Sequence, residues 1–556
     1  MIDLREDGTN VLQALNAWRQ QSPEQVAISV YDVRSSVLQG APVCRDVVTT
    51  AQLWKRVVAT AAGLRELGIE RDDIVAVQLP NWSEFLVMFL AVYAIGAVMT
   101  PISPILRYRD VRRQLELAQA KAFIVPEKFG NFDYIAMAEQ LRAELDLVLI
   151  ISVGAEKLEG MVRMQDLQKQ GENPFLAGLR DGIARGDHVR SPKELMILNF
   201  TSGTSGTPKG VMHSMHSVAS CVRPTIERLQ LTKSDIVLVV PTLGHGSGIL
   251  NGLYLPMLLG ATTIYMDGWD AGVALQIVAR ERVSYAPVMP TYLVDLAELP
   301  WPIEDDTTSW RIGRVSGGTI PREMMQRILT RMPWLRLCSG WGMSETFWST
   351  CGGPDDPPEK LSSTDGRLVG DTQIEIRDTD LQRSLPAGEV GEIVIKGSSL
   401  ALGYYNQIEL TEASYTSDGW FKTGDLGSLD TQGYLTLFGR SKDLVIRGGE
   451  NVPVVEVEAL IQLHPKVKSV AVVGIPDLRL GEKVCAVVEL KIANVPLTLL
   501  EMVQYLKECR LTPQFIPEQL LVVPELPRTP VGKIMKQAVR EQAAKASANN
   551  LIETRK

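Results

Sequence analysis

Paired cysteines are missing from this chain of 556 residues. No two of its six cysteines form a C-x-x-C pair, so the sequence predicts neither a disulfide framework nor a zinc site. Free thiols in a large chain are typical of a reducing cytosol, and we expect a cytoplasmic protein whose cysteines fill small core positions. They are Cys44, Cys221, Cys338, Cys351, Cys485 and Cys509.

An excess of basic residues is also missing. The chain has 57 Lys and Arg against 65 Asp and Glu, which gives a formal net charge of −8. A nucleic-acid surface needs a basic stripe that neutralises phosphates, so we expect no nucleic-acid partner. A local basic pocket for a nucleotide is compatible with this balance.

Long apolar runs are absent as well. The most apolar stretch, from Phe85 to Ile95, is far shorter than the roughly 20 residues that cross a bilayer, so it predicts a buried core helix and no membrane span. The charged N-terminus has no signal-peptide h-region, and the last four residues carry no peroxisomal or prenylation signal.

What the chain does contain is an alternation of short apolar β-rich runs and helical patterns. Its length exceeds the roughly 250–300 residues at which single cores stop growing, so at least two domains are expected. Runs that are nearly continuous in apolar character indicate strands covered on both faces, as in parallel sheets, and the predicted fold class is therefore α/β with layered sheets. The candidate strands are 74–79, 122–125, 147–152, 236–240 and 261–265, and a clear helix is 51–67, stopped by Gly68.

The pattern changes after about residue 370. Polar and apolar residues alternate at 373–377 and 392–396, which indicates a small antiparallel β module within a large N-terminal domain, 1–440. Residues 441–542 predict a small, mobile α+β domain with helices at 454–463 and 499–509 and strands at 469–474 and 484–490. Residues 543–556 are expected to form a flexible tail.

The segment from Thr201 to Lys209 is rich in hydroxyls and glycines. It follows an apolar strand at 195–200, and a helix is predicted to begin near Met215. Backbone N–H and side-chain O–H groups of such a loop can converge on a polyphosphate, and Lys209 adds positive charge. The Walker A spacing is absent, and a Ser/Gly-rich surface linker is the alternative interpretation. The candidate phosphate ligands are Thr201, Ser202, Gly203, Thr204, Ser205, Gly206 and Lys209.

The string from Thr201 to Val211 closely resembles the signature of the adenylate-forming superfamily, with Ser205 where Thr is more usual. This superfamily includes acyl-CoA synthetases, adenylation domains of peptide synthetases and firefly-type luciferases. The resemblance implies that ATP activates a carboxylic acid as an acyl-adenylate, with Mg²⁺ at the phosphates, and that a thiol then accepts the acyl group. Further segments in the family order extend it over most of the chain.

Three of these segments lie in the middle of the chain. The resemblance implies that His245 lines the acyl pocket, although a packing or turn histidine would be the simpler interpretation of that residue alone. It also implies that 316–319 runs along adenine, that Trp341 stacks on adenine, and that Glu345 holds Mg²⁺. The nucleotide candidates are Gly317, Gly318, Thr319, Trp341, Gly342, Met343, Ser344, Glu345 and Thr346; the acyl-pocket candidates are His245, Gly246, Gly248, Gly317 and Gly342.

The remaining segments lie around the predicted domain boundary. By resemblance, Asp425 accepts hydrogen bonds from the ribose hydroxyls and Arg440 contacts the ribose or phosphate. Lys533 reaches the carboxylate and the α-phosphate during adenylation, and the small domain then rotates about Lys442. The rotation would bring in the coenzyme A candidates Arg447, Gly448 and Gly449. The catalytic candidates are Lys533, Lys209, Glu345 and His245.

The resemblance leaves the thiol and the acid open. No carrier-protein attachment motif follows Lys533, so free coenzyme A is expected, and a stand-alone adenylation enzyme that loads a separate carrier protein is the alternative. No acidic residue near His245 would grip an amino group. The chain most resembles bacterial ligases of small-to-medium aliphatic, alicyclic or aryl acids, those of the cyclohexanecarboxylate type above all. Lys533, Glu345 and Asp425 are all present, which disfavours a catalytically dead adenylate-binding protein; a homodimer stays open.

Overall fold

The computed structural model of the chain describes residues 10–145, 147, 149–154, 156–201, 208–300, 305–317, 322–443, 445–447, 450–477, 480–492, 495–509, 511–529 and 532–553. Two large sheets dominate the N-terminal part, and both are mainly parallel with antiparallel strands at one edge. This arrangement confirms the predicted α/β class.

The seven-stranded sheet supplies the strand that leads into the predicted adenine segment. In spatial order its strands are Arg336–Ser339, Ile312–Val315, Tyr285–Val288, Ile236–Val239, Thr262–Met266, Val26–Asp32 and Val43–Thr49. The eight-stranded sheet supplies both strands that flank the predicted phosphate loop. Its strands are Gly403–Tyr404, Lys209–Ser214, Leu195–Thr201, Val98–Pro101, Ile74–Val77, Ala122–Pro126, Leu149–Val153 and Val162–Arg163.

A shared core fills the space between the two sheets. The helix Ser83–Ala94 is buried along its whole length and packs against strands of both sheets, so the prediction of a core helix over this stretch is confirmed. In the part of the chain that the structure describes, no helix is long and apolar enough to cross a membrane.

Helices cover the outer faces of both sheets and fill the connections between strands. Thr50–Glu66 matches the predicted helix 51–67, and a capping box at Thr49 fixes its start. The other α-helices before residue 440 are Val11–Gln21, Val33–Gln39, Tyr108–Ala118, Tyr134–Glu144, Met164–Gly171, Ala177–Arg185, Met215–Arg228, Gly246–Gly248, Leu255–Leu259, Ala271–Glu281, Pro290–Glu298, Arg322–Arg331, Pro358–Ser363 and Ile408–Ala413. A 3₁₀ turn covers Pro174–Leu176, and a π-helical segment covers Ile249–Tyr254.

The predicted β module is a four-stranded antiparallel sheet. Its strands are Gln373–Arg377, Gly391–Lys396, Phe421–Leu429 and Leu435–Arg440. Short two-stranded ribbons complete this half of the molecule: Lys128–Phe129 with Phe132–Asp133, Gly342–Met343 with Phe347–Trp348, and Thr350–Cys351 with Arg367–Leu368.

The C-terminal unit has its own apolar core and begins after the 3₁₀ turn Ser441–Asp443. Its strands are Val445–Arg447, Glu450–Val452, Val467–Asp477, Gly481–Leu490 and Gln519–Val523; its helices are Val454–Gln462, Leu499–Glu508 and Lys536–Glu553, with a 3₁₀ turn at Pro513–Phe515. The predicted tail differs, because residues 543–553 continue the last helix and Ala543 is fully buried.

The strands on the two sides of the predicted phosphate loop form a β-hairpin. The segment after the loop is the strand Lys209–Ser214, which pairs antiparallel with Leu195–Thr201. The helix predicted to begin near Met215 begins at that residue, directly after this strand.

Candidate active site

The two ends of the predicted phosphate loop are fixed by the hairpin. Thr201 and Lys209 are direct partners across the strands. The Lys209 ammonium lies 5.1 Å from the ring centroid of Tyr404. Lys209 is partly exposed, and within the described part of the chain no carboxylate forms an ion pair with it. The loop candidates Ser202, Gly203, Thr204, Ser205 and Gly206 lie outside the described residues.

The predicted magnesium ligand, Glu345, lies in a tight turn between the strands Gly342–Met343 and Phe347–Trp348. Its Oε1 accepts a hydrogen bond of 2.8 Å from the Tyr404 hydroxyl, and its backbone carbonyl accepts one of 2.8 Å from the Ala401 N–H. The described residues donate no hydrogen bond to the second carboxylate oxygen, Oε2. One carboxylate beside a phosphate site suits Mg²⁺, which keeps several waters and takes its remaining ligands from phosphates. Among the described residues there is no cluster of three metal-ligating side chains.

A buried histidine supports the same turn. His213 Nε2 lies 2.7 Å from the carbonyl oxygen of Ser344, and its Nδ1 lies 3.0 Å from Ser217 Oγ. Burial lowers the pKa of His213 to about 4, so the ring is neutral at pH 7, and it donates to the Ser344 carbonyl from Nε2. The ring also stacks on Phe347 at 3.8 Å between centroids.

Phe347 itself has an unusual backbone. Its φ of +52° lies in the left-handed region, which is unfavourable for a bulky residue. Its carbonyl oxygen lies only 1.7 Å from the position that a Cβ on Gly342 would take, so this turn requires glycine at position 342. Thr346 closes the turn, because its N–H donates to the Met343 carbonyl at 3.2 Å and its side chain is fully buried.

Three nucleotide candidates meet at the β module. The Trp341 indole N–H donates to Asp425 Oδ2 at 2.9 Å, and Arg440 Nε lies 3.3 Å from Asp425 Oδ1. Burial raises the pKa of Asp425, and the positive charge of Arg440 opposes that effect. Trp341 is only 6% exposed and packs in the core of the β module, where its indole N–H orients the Asp425 carboxylate; its stacking on adenine stays a prediction.

Lys533 comes from the C-terminal unit and enters the same cleft. It is solvent-accessible, but the surrounding protein and the charge of Arg440 lower the pKa of its ammonium, while Asp425 and Glu345 raise it. The positive charge of Lys533 in turn acts on His245. Burial, and after it this charge, lowers the pKa of His245 to about 4. The cleft therefore brings together side chains that are separated by hundreds of residues in the sequence.

The predicted acyl pocket begins at His245, which is neutral at pH 7. Its Nδ1 accepts a long hydrogen bond of 3.4 Å from the Ser247 N–H, which places the ring proton on Nε2. A chain of buried hydrogen bonds continues from Ser247 to Tyr285. The Asn251 side-chain amide donates to the Ser247 carbonyl at 2.8 Å, and the Tyr285 hydroxyl donates to Asn251 Oδ1 at 2.6 Å.

The glycines around His245 mostly serve close packing. A Cβ on Gly248 would lie 2.0 Å from the Thr242 carbonyl oxygen, and one on Gly317, whose φ is +97°, would lie 2.6 Å from the Met289 methyl group. Gly246 differs, because a Cβ there would meet nothing closer than 3.5 Å, an ordinary contact with the Phe347 ring. Backbone therefore packs directly against Gly248 and Gly342 but not against Gly246. Gly318 and Thr319 lie outside the described residues.

The coenzyme A candidates are only partly described. Arg447 forms an ion pair with Glu518 inside the C-terminal unit. In this conformation its partner is therefore not one of the nucleotide candidates Glu345, Asp425 or Arg440. Gly448 and Gly449 lie outside the described residues. The predicted hinge residue, Lys442, lies in the 3₁₀ turn Ser441–Asp443 that links the β module to the C-terminal unit.

Sequence reasoning missed two residues of this site, Tyr404 and His213. For His213 a signal existed: in a strand, side chains alternate, so Lys209, Val211 and His213 share one face of Lys209–Ser214. No local pattern marks Tyr404, since its bond to Glu345 depends on the pairing of Val211 with Tyr404 at the edge of the sheet.

Comparisons with known proteins agree with this geometry. The sequence matches the AMP-binding enzyme family over residues 18–405 and the AMP-binding enzyme C-terminal domain over residues 456–533. A medium-chain fatty-acid–CoA ligase of Escherichia coli (strain K12) is 33% identical over 487 residues, which cover 87% of this chain and 84% of that protein.

Two further relatives cover nearly the whole chain. A CoA ligase of Rhodococcus jostii (strain RHA1), named for a propanoyl group on a methyl-dioxo-octahydroindene ring system, is 29% identical over 97% of this chain and 100% of that protein. The fold matches that of ATP-bound MatB from Rhodopseudomonas palustris, with a TM-score of 0.82 at 23% identity over 97% of this chain and 99% of that one. The chain therefore belongs to the adenylate-forming AMP-binding enzyme family and is an AMP-forming acid–thiol ligase.

Proposed function

We propose that the protein is an ATP- and Mg²⁺-dependent acid–CoA ligase for small-to-medium aliphatic, alicyclic or aryl carboxylic acids. One observation carries the assignment of roles: Arg440 contacts Asp425, the charges of Arg440, Asp425 and Glu345 act on Lys533, and the charge of Lys533 acts on His245. Such a cluster suits a reaction in which negative charge develops between a carboxylate and a phosphate.

The first step needs alignment and charge neutralisation. An acid oxygen attacks the α-phosphorus of ATP, and pyrophosphate leaves. Lys209 would hold the leaving phosphates, Asp425 and Arg440 would hold the ribose, and Lys533 would meet the charge at the α-phosphate. Glu345 would hold Mg²⁺, which supplies further charge neutralisation on the phosphates when it is bound.

In the second step, the sulfur of coenzyme A attacks the acyl carbon and AMP leaves. The C-terminal unit would rotate about Lys442, withdraw Lys533 and present the segment that begins at Arg447. Free coenzyme A as the acceptor is supported by the names of the E. coli and R. jostii relatives, which are both CoA ligases.

The acid class is supported by the neutral character of the pocket entrance. His245 is uncharged at pH 7, and the segment 241–252 around it contains no acidic residue that would hold an amino group. The two relatives are named for a medium-chain acid and for a ring-bearing propanoic acid, which supports a chain or an alicyclic group rather than an amino acid.

The test is a panel of aliphatic, cyclohexane-type, aryl and amino acids, each assayed for pyrophosphate release and then for AMP and acyl-CoA formation. We expect release with a subset of non-amino acids and thioester only when coenzyme A is present. Adenylate formation without transfer to coenzyme A would favour a separate carrier protein as the acceptor. Absence of pyrophosphate release with every acid would contradict the proposed substrate class.

A further inference from the structure

We propose that Tyr404 is a positioning residue of the nucleotide site, whose hydroxyl fixes Glu345 for the metal and whose ring supports Lys209. The inference rests on the proposed roles of Glu345 and Lys209. It goes beyond the sequence motifs, because none of them contains Tyr404. The hydroxyl donates to Glu345 Oε1 at 2.8 Å, and the ring centroid lies 5.1 Å from the Lys209 ammonium.

The backbone holds Tyr404 from two sides. The short strand Gly403–Tyr404 extends the eight-stranded sheet beside Lys209–Ser214, with Val211 paired to Tyr404. On the other side, the Tyr404 N–H donates to Thr411 Oγ1 at 2.9 Å. The same segment also contacts the Glu345 turn, through the Ala401 N–H that donates to the Glu345 carbonyl. The phenol is therefore placed before any nucleotide arrives.

The hydroxyl controls which way the carboxylate points. A cavity of about 230 Å³, counted with the open space at its mouth, lies beside Glu345 and Tyr404 and is also lined by Thr411, Tyr415 and Phe421. The described residues give Glu345 Oε1 no other hydrogen-bond donor, so loss of the Tyr404 hydroxyl would leave the carboxylate without a fixed orientation. With the bond in place, Oε1 is held, and no described residue donates to Oε2, the oxygen that would bind a cation.

The phenol is suited to act as a permanent donor. A phenol has an ordinary pKa of about 10, so its hydroxyl is protonated at neutral pH and donates to the carboxylate, as the 2.8 Å hydrogen bond to Glu345 Oε1 requires. The face of the ring attracts the Lys209 cation, as expected of a cation–π contact. Since no described carboxylate pairs with Lys209, this contact orients the ammonium without neutralising it.

The test compares Tyr404→Phe with Tyr415→Phe in the full-length protein. Tyr415 lines the same cavity, but its hydroxyl is not bonded to Glu345, which makes it a matched control. ATP affinity is measured by titration calorimetry with and without Mg²⁺, and thermal unfolding verifies folding. For Tyr404→Phe we expect the Mg²⁺-dependent gain in ATP affinity to fall about tenfold, since a hydrogen bond to a charged group is lost. Affinity without Mg²⁺ and the behaviour of Tyr415→Phe should stay within about twofold of wild type.

Two results would overturn the hydroxyl's role: a Mg²⁺-dependent gain in Tyr404→Phe within about twofold of wild type, or an equal loss of affinity with and without Mg²⁺. If Mg²⁺ did not change the ATP affinity of the wild-type protein, both the role of the Tyr404 hydroxyl and the assignment of Glu345 as the metal ligand would be overturned. Absence of pyrophosphate release with every acid of the panel would not overturn the role of Tyr404, because ATP binding needs no acid. Failure of the proposed substrate class and failure of this inference are therefore distinguishable.

The ring is tested separately with Tyr404→Leu, which removes both the phenol and the π face. We expect metal-free ATP affinity about fivefold below that of Tyr404→Phe, because Lys209 loses its cation–π partner. Equal metal-free affinities in the two variants would show that the ring does not position Lys209.

Discussion

The two sides of the nucleotide cleft are built differently. On the N-terminal side, Glu345 is bonded through its side chain to Tyr404 and through its backbone to Ala401. On the C-terminal side, Lys533 is held by its own loop, in which its N–H donates to Thr529 Oγ1 at 3.2 Å and its carbonyl accepts from the Thr529 N–H at 2.7 Å.

The difference separates two tasks. Glu345, a proposed nucleotide-site residue, is fixed by two bonds from another segment, so its geometry exists before any ligand binds. Lys533, the proposed group for transient charge, is carried on a separate unit, where the charges of Arg440, Asp425 and Glu345 act on its ammonium. In the proposed mechanism this unit leaves after the first half-reaction, while the bonds of Glu345 to Tyr404 and Ala401 stay in place.

Removal of the mobile charge should have the largest effect. We expect Lys533→Ala to slow acyl-adenylate formation by at least about 100-fold, because a charge that stabilises the transition state is lost. Thioester formation from supplied acyl-adenylate should stay within about threefold of wild type. Both half-reactions are followed by stopped assays of pyrophosphate and acyl-CoA.

Lys507→Ala serves as the control for this variant. Lys507 is an exposed lysine on the helix Leu499–Glu508 of the same unit, and neither half-reaction should change when it is replaced. Equal losses in both half-reactions for Lys533→Ala would contradict the separation of tasks.

The fixed side is tested at His213. His213→Gln should destabilise the protein at pH 7 by about 1–2 kcal/mol, since the stacking on Phe347 and one buried hydrogen bond are lost. Urea unfolding of both proteins measures the difference.

The pH dependence of that difference has a defined sign. The folded-state pKa of His213, about 4, lies below the ordinary value of 6.5, so the neutral ring is the stable form in the fold. Below pH 6.5 the unfolded wild-type chain takes up a proton that the fold rejects, and its stability falls by about 1.4 kcal/mol per pH unit. The variant lacks this group, so the stability advantage of the wild type over it should shrink below pH 6.5 and, at that slope, reverse before pH 4. A difference that is constant with pH would show that His213 is not held neutral.

The smallest effect is expected at the surface contact between the two units. Lys491 Nζ lies 2.9 Å from Glu298 Oε1, and both side chains are about half exposed. Lys491→Ala should change the free energy of unfolding by less than about 0.5 kcal/mol, as exposed ion pairs contribute little. A decrease in the free energy of unfolding above about 1 kcal/mol would mean that this contact holds the C-terminal unit firmly, which would contradict a unit that moves between the half-reactions.

The sequence predicted those parts of the molecule whose signal is local. Buried parallel strands such as Ile74–Val77 have continuous apolar runs, and the helix Thr50–Glu66 has an apolar stripe and a glycine stop. Lys209–Ser214 has neither, because glycine and polar residues interrupt it, and only pairing with Leu195–Thr201 makes it a strand. Contacts such as Trp341 with Asp425 depend on how distant strands are brought together, which no local pattern records.

The backbone conformation of Phe347 constrains which residues are compatible with positions 213, 342 and 347. Its left-handed conformation turns its carbonyl into the space beside Gly342, and its ring lies flat on His213. Asparagine or glycine at 347 would relieve the backbone strain but would remove the aromatic face that covers the buried imidazole. A side chain at 342 would be excluded for as long as the carbonyl at 347 keeps this direction. In homologues of this protein, residues 213, 342 and 347 are therefore expected to covary. Their covariation would indicate that the turn that carries Glu345 is retained.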